Sequence, residues 1–157
     1  MRYLVLVRHG DYGTDGRLST SGREQMFRLS PLLKERIETE WVHIFSSSAP
    51  RAMDSATILS EAFKVSFAAA EMWWSDDQHD YHPERALAFV REHGPSTDAL
   101  MVVTHLEYTE EFPGYFARAE LGVELPFMSV EKGDALVIDC EAKTIALIGR
   151  DTKRKTR

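Results

Sequence analysis

Apolar positions along this chain fall into two rhythms, and the rhythms alternate. Short apolar runs of strand length stand at Tyr3-Leu4-Val5-Leu6-Val7, at Trp41 to Phe45 and at Leu100 to Thr104. Between the first two, Met26, Leu29, Leu32 and Leu33 recur at helical spacing. That helix has N-cap choices at Ser19-Thr20-Ser21 and runs to about Ile37, with Pro31 predicting a kink or break inside it. Ala52, Ala56, Ile58 and Leu59 give apolar faces to a second helix over about 51–63, and Pro50 suits its first turn.

The later chain continues the alternation. Val65 to Ala69 reads as a short edge strand, and 71–83 is the least regular stretch. A helix over about 83–93 is stopped by Gly94-Pro95. Residues 107–121 read as a helix broken near Pro113-Gly114. A final pair of strands, about 135–139 and 144–148, turns through Glu141-Ala142-Lys143. Strand alternating with helix predicts a three-layer α/β domain, with a mostly parallel central sheet and helices on both faces. The reading is one domain over 1–150 and a basic tail over 151–157.

Composition narrows the partners. The 157 residues carry a formal net charge of −6, which argues against general nucleic-acid binding, since that needs a basic face. No apolar run approaches the roughly 20 residues of a membrane span, and the N-terminal run is too short for a signal h-region. The expectation is a cytoplasmic protein. The single cysteine, Cys140, cannot form an internal disulfide.

The chemistry gathers where strands end. The first strand runs into Arg8-His9-Gly10, the second into Ser46-Ser47-Ser48 and then Arg51, and the strand over 100–104 into His105. In a parallel sheet these ends share one edge, the edge where open α/β sheets bind ligands. Two guanidiniums can hold a phosphoryl group through charge-assisted hydrogen bonds. One histidine can then attack phosphorus while the other steadies the developing charge. Nearby positive charge also favours neutral imidazole at His9.

Four motifs in order resemble the histidine phosphatase superfamily, the phosphoglycerate-mutase-like fold. They are Leu6-Val7-Arg8-His9-Gly10, Leu18-Ser19-Thr20-Ser21-Gly22-Arg23-Glu24-Gln25, Ser46-Ser47-Ser48-Ala49-Pro50-Arg51-Ala52 and Val102-Val103-Thr104-His105. The resemblance covers almost the whole chain. It implies that His9 is the nucleophile, forming a phosphohistidine, and that Arg8, Arg51 and His105 hold the phosphoryl group. It implies no metal or other cofactor.

The superfamily's acidic proton donor lies in a pattern like D-x-L-x-E. Here the corresponding stretch reads Ala70-Glu71-Met72-Trp73-Trp74-Ser75-Asp76-Asp77, and the acid position falls on or beside Ser75. Asp76 is the first choice as the catalytic acid, with Glu71 and Glu107 as alternatives. Between Arg51 and His105 there is room for two helices and little else, as in the compact phosphohistidine phosphatases of the SixA type. Their Arg-His-Gly-Asp start looks like Arg8-His9-Gly10-Asp11. A mitochondrial serine/threonine phosphatase branch is similar around Asp11-Tyr12 and Asp15-Gly16. The implied substrate is a phosphomonoester or a phosphohistidine, on a small molecule or a phosphoprotein. The alternatives are a phosphate-binding module without turnover and a phosphoglycerate-type mutase, the latter disfavoured by the short middle segment. Trp73 and Trp74 either flank a substrate entrance or cover the core. Asp76, Asp77, His79, Asp80 and His82 match no tight metal-ligand spacing and read as a solvated loop.

Overall fold

Alternate residues of the first strand face opposite ways, and that alternation builds the molecule. The computed structural model describes residues 1–149; the basic tail over 151–157 lies outside the described residues. Strand β1 (Tyr3–Arg8) sends Tyr3, Val5 and Val7 into one apolar core and Leu4 and Leu6 into another. The first core is closed by α1 (Thr20–Arg36) and α2 (Pro50–Phe63). The second is closed by α3 (Pro83–His93), α4 (Leu106–Glu110) and α5 (Phe112–Phe116). A strand buried on both faces reads as a continuous apolar run, which is the form seen in β1 and in β4 (Ala99–Thr104).

The six strands order as β3-β2-β4-β1-β5-β6, where β2 is Val42–Ser46 and β3 is Phe67–Ala69. Strands β1, β4, β2 and β3 pair in parallel. Strands β5 (Ala135–Asp139) and β6 (Thr144–Ile148) add an antiparallel hairpin beside β1. The expected three-layer, mostly parallel α/β architecture is the one observed. Among the described residues no helix is long and apolar enough to cross a membrane.

Two helical expectations are narrowed. Pro31 does not break α1, which runs unbroken from Thr20 to Arg36. Pro31 and the preceding turn's Phe27 both lie on the solvent side, so the carbonyl deprived of its N–H partner is open to water. The helical stretch after β4 does break, but at Glu111 rather than at Pro113-Gly114. Pro113 instead occupies the first turn of α5, where its missing N–H costs nothing. A wider π-type turn over Ala117–Leu121 follows.

Candidate active site

The register of the sheet places the three expected strand ends side by side. Arg8 lies opposite Thr104 and Ser46 opposite Val103, so His9, His105 and Ser47 leave neighbouring strands at one edge. Strand β5 runs the other way and begins at this same edge, with Ala135 opposite Val7. The loop before β5 therefore also feeds the site.

The turn after β1 is locked by close approach to α1. A Cβ on Gly22 would stand 2.1 Å from the Asp11 carbonyl oxygen, and one on Gly10 would stand 2.7 Å from the Gly22 carbonyl oxygen. Only glycines let these two backbones meet. Gln25 then clamps Asp11, accepting its N–H at 2.9 Å and donating to its carboxylate at 2.7 Å. Ser55 on α2 accepts the Gly10 N–H at 3.1 Å. The motif around α1 thus serves as a frame for His9 and stands outside the reacting groups.

His9 is buried, at 4% exposure. Its Nδ1 lies 2.9 Å from the Gly10 carbonyl oxygen, which can only accept, so the proton sits on Nδ1. Arg51 donates from Nε to His9 Nε2 at 3.3 Å, so Nε2 carries the free lone pair. Burial first, and then the charges of Arg51, Arg8 and Lys132, push the His9 pKa down to about 3 against the Gly10 hydrogen bond. The imidazole is neutral across the physiological range.

His105 is equally enclosed and meets His9 edge-to-face at 4.9 Å. Its Nδ1 stands 3.5 Å from Arg51 Nη2, and its Nε2 lies 2.8 Å from Ser47 Oγ. A guanidinium can only donate, which assigns the His105 proton to Nε2, directed at Ser47. Burial, His9 and Arg51 push its pKa down to about 2. Arg51, in the first turn of α2, thus touches both rings. Arg8 donates from Nη1 to the Val130 carbonyl at 2.8 Å, and its buried Nε has no protein partner. Burial pushes the Arg8 pKa down, opposed by Glu110 and Glu107.

The opposite wall is the loop over 71–82. Trp73 is wholly buried among Phe89, Tyr108 and Phe112, whereas Trp74 stacks on His79 at 4.2 Å and faces His105 at 6.2 Å. The two adjacent tryptophans divide the two roles between them, one in the core and one at the site. The Asp76 carboxylate accepts from Trp74 Nε1, the Gln78 N–H and His79 Nδ1, each at 2.8 Å, and lies 4.0 Å from Arg51 Nη2. Partial burial raises its pKa, but these hydrogen bonds outweigh that and hold it at about 2. Glu107 accepts from Ser75 Oγ at 2.6 Å, and Glu71 is exposed, lining a hollow with Trp74 and His79. Arg8, His9, Arg51, His105 and Asp76 are thus gathered at one sheet edge, with the charge of Glu107 reaching Arg8.

Ser47, in the serine turn that ends β2, orients His105. Two further neighbours of this cluster escape a reading based on strand ends. Tyr12 meets His9 edge-on at 5.4 Å with the Arg51 guanidinium over its ring at 4.5 Å. Lys132 stands 5.0 Å from the same ring.

No family model matches the chain, and no curated protein matches it. Solved structures do match. The protein histidine phosphatase SixA complexed with tungstate aligns at a TM-score of 0.65 with 18% identity, over 94% of this chain and 96% of that one. A mycobacterial glucosyl-3-phosphoglycerate phosphatase bound to VO3 aligns at 0.63 with 16% identity, over 94% and 97%. The α-ribazole phosphatase from Shigella flexneri aligns at 0.60 with 16% identity, over 92% and 94%. The chain therefore has the phosphoglycerate-mutase-like fold of the histidine phosphatases.

Proposed function

We propose that this protein is a metal-independent phosphatase working through a phosphohistidine on His9. The observation that carries the reading is the state of His9: a buried, neutral imidazole with its proton on Nδ1 and its Nε2 lone pair beside Arg51. In the first step Nε2 attacks phosphorus, the N–P bond forms, and the bond to the leaving group breaks with its electron pair. In the second step water attacks phosphorus, loses a proton, and returns the electron pair to Nε2. Arg8, Arg51 and His105 surround the phosphoryl oxygens; the unpartnered Arg8 Nε is a ready donor for one of them. Fixed donors of this kind supply most of the stabilisation that phosphoryl transfer needs.

Asp76 remains the carboxyl placed beside the cluster, and its low pKa bears on the substrate. An ionised carboxylate does not protonate a leaving group. This suits substrates whose leaving group departs with little acid assistance, an activated aryl phosphate or a phosphohistidine whose imidazole carries its own proton. One structural neighbour is named a protein histidine phosphatase, which supports the phosphohistidine class; the other two are named for phosphorylated small molecules.

Hydrolysis of para-nitrophenyl phosphate is the direct test. The wild-type protein should turn it over, and His9→Ala should lose at least about 10³-fold in kcat/KM. Full activity in His9→Ala would remove the mechanism. The second reading, a phosphate-binding module, is favoured by the same ionised Asp76. It predicts binding of phosphate or vanadate with no turnover of any phosphomonoester or phosphoramidate.

A further inference from the structure

The rim of the pocket holds a third cation that the transfer step leaves unused. Lys132 lies in the turn before β5, and that turn is clamped to the nucleophile strand. The next residue, Gly133, donates its N–H to the carbonyls of both Arg8 and His9, at 3.1 and 3.0 Å. Its backbone is left-handed, φ +83, and a Cβ there would meet Gln25 at 2.7 Å. Asp134 closes the turn by accepting the Glu131 N–H at 3.2 Å. The base of the Lys132 side chain is thus as fixed as the strand it rests on.

The ammonium is directed at the site. It stands 5.0 Å from the Tyr12 ring centroid, and the His9 ring meets that same ring edge-on. Its charge reaches His9. Lys132 forms no ion pair with any acid among the described residues. A half-buried, positioned ammonium beside an aromatic face, within the span of a small molecule bound at His9, is suited to receive an anion.

We propose that Lys132 is a specificity residue: it takes a second anionic group, a carboxylate or a further phosphate, on the leaving portion of a small phosphorylated substrate, with Tyr12 as the platform for that portion. The proposal rests on the phosphatase reading and deepens it by naming a substrate class, a phosphomonoester carrying a second negative charge.

The test uses a matched aryl pair, 3-carboxyphenyl phosphate and phenyl phosphate, which differ in the carboxylate, with para-nitrophenyl phosphate as the reference. The wild type should prefer 3-carboxyphenyl phosphate in kcat/KM. Lys132→Met should lower that preference about tenfold, mainly through KM, as expected for loss of one charge-assisted hydrogen bond. Lys132→Arg should retain most of the preference, and Lys132→Glu should reverse it. An unchanged 3-carboxyphenyl-to-phenyl-phosphate ratio in Lys132→Met overturns the proposal, as does a wild type with no preference. If para-nitrophenyl phosphate is not hydrolysed, or is hydrolysed equally by His9→Ala, the phosphatase reading falls first and takes this one with it.

Discussion

The two walls of the pocket are built on different principles. The wall with Arg8, His9 and Arg51 is framed by long-range contacts: strand pairing, the Gly10–Gly22 approach, the Gln25 clamp and the Ser55 hydrogen bond. The wall with Trp74, Asp76 and His79 is organised largely by itself, through bonds spanning two or three residues and one ring stack. It is tied to the scaffold through Thr104 and Tyr108, which donate to the Trp73 and Met72 carbonyls. The wall that handles the phosphoryl group tolerates little displacement, because misplaced donors stabilise the transition state poorly. The self-organised wall supplies none of the proposed phosphoryl donors and can vary with the substrate.

The largest expected loss therefore lies on the framed wall. Arg51→Lys keeps the charge but not the fork that reaches both histidines at once. It should lower kcat/KM for para-nitrophenyl phosphate by about 10²-fold or more. Loss below tenfold would mean that charge alone suffices and that the geometry around Arg51 is not the active element.

Gly22→Ala strikes the frame without touching a reacting group. The added methyl must push the Asp11 carbonyl aside, which costs about 1–3 kcal/mol of stability and should displace His9 through Gly10. Denaturant unfolding together with kcat measures both effects. A variant of wild-type stability and activity would show that the loop after β1 is freer than its contacts imply.

Acid should also find the framed wall first. Each unfolded histidine titrates at about 6.5, whereas His9 and His105 in the fold stay neutral down to about 3 and about 2. Below about 6.5 the unfolded chain binds protons that the native site refuses. Their contribution is complete above that pH and declines as pH falls toward 3, by up to about 1.4 kcal/mol per pH unit for each histidine. Double replacement of His9 and His105 by Gln should flatten the slope of unfolding free energy between pH 6 and 4. The same neutral state predicts no limb near pH 6.5 in kcat/KM from His9.

The smallest effect is expected on the self-organised wall. Asp76→Asn should cost aryl phosphates and phosphohistidine less than about tenfold each, because a carboxyl already ionised protonates no leaving group. Equal, large losses on both would make Asp76 a part of the phosphoryl cradle. A large loss on the aryl phosphate alone would mean that Asp76 donates a proton after all.

The framed wall was also the legible one. Apolar runs ending in Arg8-His9 and His105, and a serine turn leading to Arg51, announce a shared sheet edge, because parallel strands deliver their ends to one side. Lys132 was hidden by the same rule: β5 is antiparallel, so its beginning, not its end, arrives at the site. Tyr12 carries no periodic signal, since its position depends on the cations that flank it. Trp73 and Trp74 are identical in type and adjacent in sequence, and only the third dimension separates core from site. Pro31 does not end α1, because propensity speaks of a residue, whereas the cost of a missing N–H depends on whether the orphaned carbonyl faces water.

The central claim is a covalent phosphoryl group on one named nitrogen. Rapid quenching of the wild-type protein during turnover of a labelled phosphate donor, under alkaline conditions that preserve phosphohistidine, followed by peptide mapping, measures it directly. The account predicts acid-labile label on the peptide carrying His9, absent in His9→Ala and retained in Asp76→Asn. Label on another residue, or steady turnover with no labelled protein at any quench time, would contradict it.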